Sequence, residues 1–496
     1  MNVLLLYPEF PDTFWSFKHA LRFVRKRAAS PPLGLLTVAA MLPPEWGKRL
    51  VDLNVRRLTA KDLAWADCAF VSGMVVQRDS ARAAIARCKQ AGVTVVAGGP
   101  LFASEHEQFS EVDHFVLGEA EATLAPFLAD FARGSARRLY TTSEFPELGA
   151  TPVPLWELAD LRSYASMSIQ YSRGCPFSCE FCNVTSLFGH RPRTKSARQV
   201  IAELDALYAR GWRGGIFFVD DNCIGHKARL RAELLPALIQ WKKGKQGITF
   251  HTEVSINLAD DEALTRQMVE AGFNMVFIGI ETPDDGSLAE CSKIQNRNRN
   301  LIDDVKRLQR AGLQVQGGFI VGFDSDTPSI FQRQIDFIQK SGIVTAMVGM
   351  LQAIPGTRLF ARLQREGRLL GETTGDNVDG TTNIVPAMSL EALREGYKAI
   401  LRRIYAPKHY YQRVKTFLRE YKREYKAPAI KGTVTFGDIM AFLRSTVRLG
   451  IVGRERFHYW RLIFWTLFRR RELVPMAVTL AIYGFHFRRI CKLHVT

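Results

Sequence analysis

The sequence predicts an α/β protein in three parts: a doubly wound parallel sheet, a partial (β/α)6 barrel and a mostly helical, basic C-terminal region. Two series of short apolar runs, each run followed by a helical stretch, predict the first two parts. Alternation of this kind is typical of parallel sheets covered by helices. The strand pattern stops after Arg368, where longer helical stretches begin. A chain of 496 residues is long enough for each part to bury its own core.

The first part, residues 1–140, is predicted to be a Rossmann-like domain. Its predicted strands are residues 3–7, 49–54, 68–72, 93–97 and 115–117, and its predicted helices are residues 34–42 and 80–90. The residues at or just after the ends of three of these strands are Ser72, Gly73, Gly98, Gly99, Gly118 and Glu119. Ligands of such sheets bind beyond the carboxyl ends of the strands, so these residues are candidates for a ligand site. Ordinary turn-making is the alternative role for the glycines.

The second part follows a predicted linker, residues 141–165, which contains Pro146, Pro152 and Pro154. Within residues 166–365 the predicted strands are residues 168–172, 215–219, 249–256, 275–280, 315–321 and 345–351. Six strands of this kind predict an open (β/α)6 barrel. In the related eight-fold barrel the chemistry lies at the C-terminal ends of the strands.

The third part divides into a helical domain, residues 366–430, and a basic aromatic amphipathic extension, residues 431–496. Helices are predicted over residues 389–404 and 406–425. The longest apolar run that follows, residues 473–485, is too short to span a bilayer. Aromatic and basic residues interleave in residues 458–471 and 485–489. This pattern fits a helix in a membrane interface, and it fits a basic helix packed on its own protein equally well.

The net charge and the cysteine pattern indicate where in the cell the protein is located and which partners it could bind. The net charge is +18, and residues 401–496 hold 21 Lys and Arg against 5 Asp and Glu. Basic patches attract the phosphates of nucleic acid or anionic lipid. Five of the eight cysteines are scattered without partner spacing, so a reducing, cytoplasmic location is expected. The first residues lack the pattern of a signal peptide.

The remaining cysteines, Cys175, Cys179 and Cys182, form the motif C-x3-C-x2-C. Three thiolates can bind three irons of a [4Fe–4S] cube and leave the fourth iron open, whereas a purely electron-carrying cluster normally has four cysteine ligands. A zinc site and a chance grouping are the alternatives. Zinc knuckles favour paired C-x2-C units, and a second such pair is absent from this sequence.

This cysteine motif resembles that of the radical S-adenosylmethionine (SAM) enzymes. The resemblance extends to segments at later strand ends: residues 217–222 resemble the segment that binds the SAM amino group, residues 253–257 the ribose and carboxylate strand, and residues 277–282 the strand that supports adenine. The SAM-binding residues that it implies are Phe181, Asp220, Asp221, Asn222, Glu253, Ser255, Asn257, Gly279 and Glu281. Glu281 could instead cap the next helix.

The arrangement of a doubly wound sheet before such a barrel resembles that of the cobalamin-dependent radical SAM enzymes. The order of the segments most resembles that in the branch that contains the hopanoid C-2 methylase. The resemblance covers residues 1–425 and implies that Ser72, Gly73, Gly98, Gly99, Gly118 and Glu119 contact cobalamin. The D-x-H-x-x-G motif, which supplies an axial histidine in many cobalamin proteins, is absent. His19 lies near the end of the first strand, and we expect it to be structural.

The resemblance implies SAM cleavage at the cluster to a 5′-deoxyadenosyl radical, followed by methylation of an unactivated carbon of a lipid-like or other small substrate. It assigns no catalytic residue beyond the cluster ligands. The alternatives are a cobalamin-dependent enzyme that forms or rearranges a ring, a tRNA-modifying enzyme and a non-catalytic sensor. Methylthiotransferases carry three more cysteines near the N-terminus, and the first 170 residues here contain only two. An external electron donor such as flavodoxin or ferredoxin and an anionic membrane surface are expected partners; nucleic acid is not.

Overall fold

The structure of the protein is a computed structural model that describes residues 1–376, 378–422 and 436–494. Its first sheet contains six parallel strands, and their spatial order is β2-β1-β3-β4-β5-β6. The strands are β1 (Asn2–Tyr7), β2 (Gly47–Asp52), β3 (Cys68–Ser72), β4 (Thr94–Gly98), β5 (His114–Val116) and β6 (Leu139–Tyr140). The first helices are α1 (Lys18–Val24), α2 (Leu33–Met41), α3 (Ala60–Trp65), α4 (Arg78–Gln90), α5 (Pro100–Glu105) and α6 (Ala120–Ala132). The predicted doubly wound sheet is confirmed, and β6 is an addition to it.

The segment between β1 and α2 leaves this domain. Phe14, Ala20, Phe23 and Ala28 are buried in the same core as the barrel strands and the C-terminal helices. The sequence assigns residues 1–140 to one domain, because neighbouring segments usually pack together. The structure places the segment that contains α1 against the other two parts instead.

The second sheet has the order β14-β13-β12-β11-β10-β7, and all its pairs are parallel. Its strands are β7 (Ser166–Ile169), β10 (Gly215–Phe218), β11 (Thr249–Glu253), β12 (Phe273–Glu281), β13 (Gln314–Val321) and β14 (Ala346–Met350). β8 (Ser172–Arg173) and β9 (Arg193–Thr194) form an antiparallel pair that flanks the cysteine motif. All six predicted barrel strands are therefore present.

Helices cover the outer face of this open barrel. They are α7 (Val184–Phe188), α8 (Ala197–Ala209), α9 (Lys227–Arg229), α10 (Leu235–Lys242), α11 (Glu262–Ala271), α12 (Asp285–Glu290), α13 (Leu301–Arg310), α14 (Ser329–Ser341) and α15 (Arg358–Arg365). Strand residues on the outer face, such as Ile216, Val276 and Ile278, are fully buried beneath these helices. The inner face is available for ligands.

The C-terminal helices form one bundle. They are α16 (Leu390–Tyr405), α17 (Pro407–Glu420), α18 (Phe436–Ser445), α19 (Arg456–Arg469) and α20 (Val474–His494), with a π-helical segment, Thr446–Ile451, after α18. The hydroxyl of Tyr410 donates to the carbonyl of Leu480 at 2.6 Å, which joins α17 to α20. The predicted boundary at residue 430 and residues 423–425 of the second predicted helix lie outside the described residues. Helices on both sides of that boundary pack together, so no separate extension is present among the helices described.

The residues 485–489 lie in α20, where His486 and Phe487 are fully buried. Of the two alternatives for this segment, a helix in a membrane interface and a basic helix packed on its own protein, the structure therefore shows the second. Among the parts of the chain that the structure describes, no helix is both long enough and apolar enough to cross a bilayer.

A buried ion cluster joins the first domain to the barrel. Glu119 follows β5, and its carboxylate lies 2.6 Å from the guanidinium of Arg173 and 2.5 Å from that of Arg193. Arg173 also pairs with Glu121 at 2.9 Å. Arg173 lies in β8 and Arg193 in β9, so this one carboxylate fixes both strands that flank the cysteine motif. All four side chains are nearly buried.

We expect Glu119→Ala to lower the free energy of unfolding by about 3 kcal/mol, because removing one partner leaves buried guanidinium groups uncompensated. Glu157→Ala is the matched control: Glu157 pairs with Arg210 at 2.9 Å with both side chains about half exposed, and such pairs contribute less than about 1 kcal/mol. Urea unfolding measures both variants. Equal losses of stability would contradict a role for Glu119 in joining the domains.

Candidate functional site

The cysteine motif lies in the loop between β8 and α7, at the C-terminal end of the barrel. Cys175, Cys179 and Cys182 are each half-buried. Gly174 precedes the first cysteine with a φ of 91°, and a Cβ there would lie 2.9 Å from the carbonyl oxygens of Gly189 and Arg191. Only glycine fits this conformation and this close approach, so the loop returns tightly on itself.

Asp220, directly after β10, holds the start of this loop. Its fully buried carboxylate accepts hydrogen bonds from the backbone N–H groups of Ser172 and Tyr171. Burial raises the pKa of this carboxyl to about 6. The sequence predicts Asp220 as a SAM-binding residue. In the structure it supports the backbone of the cysteine loop, and a direct contact with SAM stays a prediction.

The three thiols fit a cluster better than a single ion. Among the described residues, no three His, Cys, Asp or Glu side chains converge to hold one metal ion. A cubane cluster does not need such convergence, because each thiolate binds a different iron. Burial raises the pKa of Cys182 to about 12 and that of Cys175 above its usual value. A bound metal would hold these groups as thiolates at neutral pH.

Amide donors lie beside two of the sulfurs. Asn222 Nδ2 is 4.0 Å from Cys175 Sγ, and Gln295 Nε2 is 3.8 Å from Cys179 Sγ. Hydrogen bonds to the sulfurs are one of the means by which proteins tune such clusters. The sequence does not identify Gln295, because no strand-end motif contains it.

The predicted residues Asn222, Ser255 and Asn257 form one hydrogen-bonded group next to the cluster loop. Asn222 Oδ1 accepts from the backbone N–H of Ser255 at 3.2 Å, and the hydroxyl of Ser255 donates to Asn257 Oδ1 at 2.7 Å. Asn222 follows β10, and the other two residues follow β11. The parallel register of these strands therefore brings together residues that are more than thirty positions apart.

Two further carboxyls lie beside this group. Asp221 Oδ2 is buried and has no hydrogen-bond partner among the described residues. Burial and the neighbouring acidic groups raise the pKa of Asp221 to about 7 and that of Glu253 to about 8. An oxygen without a partner at this position fits a ligand that brings a hydrogen-bond donor, such as the amino group of SAM.

Glu281 forms an ion pair that the sequence does not predict. At the end of β12 its carboxylate lies 2.7 Å from Lys293 Nζ, in a nearly buried pair. Glu281 has a φ of 64°, which is rare for a residue other than glycine. A Cβ at Gly279 would overlap the Glu281 carboxylate, so the pair requires glycine there. Glu281 does not cap the next helix, because Asp284 occupies that position.

Lys293 brings positive charge to the cluster loop. Its Nζ lies 5.9 Å from the ring of Phe181, the residue before Cys182, and that ring packs near Phe323. Proximity to Glu281 and to the cysteines raises the pKa of Lys293, so the ammonium is charged at neutral pH. A fixed cation here would offset the negative charge of bound thiolates and carboxylates.

The predicted cobalamin residues lie at the C-terminal edge of the first sheet. Gly99 has a φ of 86°, and a Cβ there would overlap Ser72 Oγ. A Cβ at Gly98 would approach the carbonyl oxygen of Val116. The close packing at this edge therefore requires glycine at both positions. Because the glycines bring no side chain to the edge, a large, flat ligand such as a corrin ring can approach the backbone there.

Of the remaining predicted residues, Gly118 has a φ of 81°, and Gly73 accepts a hydrogen bond from the backbone of Leu101. Glu119 is engaged with two arginines, and a contact between it and cobalamin stays a prediction. His19 lies 3.5 Å from the carboxylate of Asp12 and has a pKa lowered by burial. This position agrees with the expected structural role.

Comparison with family models supports the assignment of the barrel. Residues 169–338 match the model described as the Radical SAM superfamily, and residues 357–496 match one described as a domain of unknown function (DUF4070). The second match includes residues on both sides of position 430, where the sequence predicts a boundary.

Two relatives match over almost the whole chain. An uncharacterised methyltransferase of Synechocystis sp. is 40% identical over 98% of this chain and 91% of its own length. The hopanoid C-2 methylase of Rhodopseudomonas palustris is 35% identical over 94% of this chain and 90% of its own length. Both alignments extend well beyond residue 425, where the sequence-based resemblance ends.

Two solved structures share the fold. The cobalamin-dependent radical SAM enzyme OxsB, with aqua-cobalamin bound, superposes with a TM-score of 0.62 at 14% identity and covers 99% of this chain and 80% of that one. The radical SAM methyltransferase TsrM of Kitasatospora setae, with cobalamin and a [4Fe–4S] cluster bound, superposes with a TM-score of 0.57 at 15% identity. The match covers 96% of this chain and 99% of that one.

We expect replacement of Cys175, Cys179 and Cys182 by alanine to abolish both the iron bound after anaerobic reconstitution and the cleavage of SAM, because these three are the only cysteines of the loop itself. The unchanged protein should hold about four irons per chain. Iron analysis and visible absorbance measure the result. Cys88→Ala, a buried thiol in α4, is the control that should keep the cluster. A triple variant that still bound about four irons would show that the cluster lies elsewhere.

Proposed function

Because this chain belongs to the cobalamin-dependent radical SAM methyltransferases, in the branch that contains the hopanoid C-2 methylase, we propose that it methylates an unactivated carbon of an apolar, lipid-like substrate. The observation that carries the proposal is the chemistry of the barrel's inner face. Across the six barrel strands the only charged residues are Glu253 and Glu281, both at strand ends. Away from these strand ends, a charged substrate would meet no opposite charge on the strands.

Aromatic and thioether side chains line this inner face. The Phe217 ring stacks on His251 with centroids 4.8 Å apart and an interplanar angle of 1°. Burial lowers the pKa of His251 to about 4, so the ring is neutral at physiological pH. Phe277 and Met347 lie across from them on β12 and β14, and all four side chains are only half-buried. An accessible surface of this composition favours an apolar ligand.

Trp15 closes one side of the lumen. It lies on the segment that leaves the first domain, is 38% exposed, and its Nε1 donates to Met347 Sδ at 2.9 Å. Its ring meets Phe277 edge-on, with centroids 5.4 Å apart. Four strands and a remote segment thus supply the wall, which is why no single sequence motif predicts it.

We assign the cofactors to two edges of the protein, the C-terminal edge of the barrel and that of the first sheet. Cys175, Cys179 and Cys182 would hold the [4Fe–4S] cluster; Asn222, Ser255 and Asp221 would bind SAM; and the Ser72–Gly99 edge would hold cobalamin. When bound, these groups supply the one-electron and methyl-transfer chemistry, and the protein supplies position and exclusion of water. Glu119 and its arginines keep the two edges opposite each other.

The reducing electron would come from an external protein such as flavodoxin or ferredoxin. A cleft of about 240 Å³ reaches Cys179 and Cys182 from the surface. Arg358 lies on its wall, where it would favour an acidic donor.

Cobalamin binding has its own test. We expect the reconstituted full-length protein to retain cobalamin through gel filtration, and the cob(II)alamin spectrum in electron paramagnetic resonance to lack nitrogen splitting from a protein imidazole. Gly99→Val should lose cobalamin and keep its iron, because the new side chain would overlap Ser72. Gly34→Ala, where a Cβ meets open space, is the control. Imidazole splitting, or failure of the unchanged protein to retain cobalamin, would contradict this assignment.

Methylation is tested in cells fed methyl-deuterated methionine, with and without the protein, by mass spectrometry of the lipid extract. We expect a lipid that carries the deuterated methyl group only when the protein is present. Trp15→Ala should raise the KM for that lipid by about tenfold or more, since a large aromatic contact is lost. It should leave iron content and SAM binding unchanged.

Trp65→Ala is the matched control, because Trp65 lies in α3 of the first domain, where it stacks on Arg49 and is remote from the lumen. Label only in a water-soluble product would contradict the lipid assignment. A product that had lost hydrogen or closed a ring without gaining a methyl group would favour the ring-forming alternative.

A further inference from the structure

Exposed apolar side chains concentrate in the C-terminal bundle. Among the described residues, 21 large apolar side chains are exposed, and 11 of them lie between Phe436 and Leu493. The rest of the described chain, which is far longer, contains the other ten. This density is unusual for a surface that faces only water.

A first apolar stripe runs along α18 and the π-helical segment. Ile439, Leu443, Val447 and Ile451 recur at intervals of four residues, and their exposure rises from 46% to 60%. This spacing places them on one face, while Ala441, Ser445 and Leu449 are buried on the opposite face. The stripe is therefore the outward face of an element whose inward face is already packed.

A second stripe lies on α19. Phe457, Phe464 and Phe468 are 75%, 50% and 81% exposed, whereas Tyr459 and Leu462 on the other face are fully buried. Trp460 connects the two stripes. Its Nε1 donates to the carbonyl of Gly450, next to Ile451, at 3.0 Å, and its ring stacks on Phe464 with centroids 5.5 Å apart.

The same surface is strongly basic. Residues 436–471 contain eight arginines and two carboxylates. One of those carboxylates, Glu455, is buried and pairs with Arg488 at 2.6 Å. The exposed arginines are Arg448, Arg454, Arg456, Arg461, Arg469 and Arg471. Cationic groups thus surround the two apolar stripes.

We propose that this surface, the apolar stripes of α18 and α19 together with the exposed arginines, docks the protein on an anionic lipid bilayer. An amphipathic helix binds in the interface plane through apolar side chains that enter the lipid and basic groups that meet the headgroups. The two stripes provide the apolar side chains, and the exposed arginines provide the basic groups. No spanning helix is needed for this arrangement.

The charge argues against two other occupants. A second copy of the chain would bring eight further arginines and few carboxylates to the same contact, so the two surfaces would repel each other. A nucleic acid would satisfy the arginines but would leave the aliphatic stripe, Ile439 to Ile451, in water. A bilayer satisfies both the charge and the apolar area.

The docking surface also connects to the lumen. α20 follows α19 directly, and the ring of Phe487 stacks on Phe14 with centroids 4.2 Å apart and an interplanar angle of 9°. Phe14 precedes Trp15, which lines the barrel. The docking helices are therefore connected through α20 to the segment that closes the lumen. Docking itself does not depend on the proposed methylation, and it is tested without SAM or turnover.

The test is co-sedimentation of the full-length protein with phosphatidylcholine vesicles that contain or lack phosphatidylglycerol. We expect pelleting with the anionic vesicles only, weakened at high salt because exposed charges are screened. The triple variant Phe457→Ser, Phe464→Ser, Phe468→Ser should bind at least about tenfold more weakly, since each phenyl ring loses its burial in lipid. Its iron content and gel-filtration profile verify the fold.

Matched controls replace the same kinds of side chain elsewhere. Leu139→Ser, Val153→Ser and Val385→Ser remove exposed apolar groups from other surfaces. A charge-reversal set, Arg454→Glu, Arg461→Glu and Arg469→Glu, should abolish the preference for anionic vesicles. Arg57→Glu, Arg198→Glu and Arg394→Glu should preserve that preference.

Equal pelleting with neutral and anionic vesicles, or pelleting with neither, would overturn the proposal. So would identical behaviour of the docking-surface variants and their controls. Retention on RNA without vesicle binding would assign the surface to nucleic acid, and a concentration-dependent dimer without vesicle binding would assign it to a second copy. In each of these cases the lipid-labelling experiment would still report separately on methylation.

Discussion

The buried carboxylate of Glu119 is the constraint on which the arrangement of the two candidate cofactor edges depends. Glu119 lies at the end of β5 in the first sheet, and its carboxylate forms ion pairs with Arg173 and Arg193, which flank the cysteine loop on the barrel. A buried carboxylate between two guanidinium groups tolerates little displacement, because each lost hydrogen bond leaves a charge in a medium of low polarity. The relative position of the two ligand surfaces is thus determined by electrostatics as well as by packing.

The second feature is that the barrel concentrates its polar groups at one end. Asn222, Ser255, Glu281 and Lys293 cluster around the cysteine loop, while the lumen is aromatic and neutral. This separation suits a reaction that binds a zwitterionic cosubstrate beside a metal cluster and an apolar substrate nearby. A largely apolar lumen also suits radical chemistry, because it excludes water from the reacting carbon.

Most of the fold could be predicted from the sequence, because the barrel strands are either apolar runs or alternate apolar with polar residues, and a helical stretch follows them. β6 could not be predicted, since two residues at the edge of a sheet carry no periodicity. Lys293 and Trp15 lie outside every strand-end motif, and Trp15 meets its partner Met347 from 332 positions away. The interleaved aromatic and basic residues could not distinguish α20, which is buried, from α19, which is half exposed, because that difference depends on tertiary partners alone.

The contact between Phe14 and α20 has a consequence for the order in which the molecule is made. The carbonyl of Phe14 lies 2.9 Å from the ring of His486, a residue 472 positions later in the chain. The first domain and the barrel can emerge from the ribosome and fold long before α20 is translated. Until then the segment that carries Trp15 can contact only α16 and the barrel strands, through Phe14 and Tyr405 and through Trp15 and Met347. The packing of this segment is therefore completed late in biosynthesis, after the barrel that it covers.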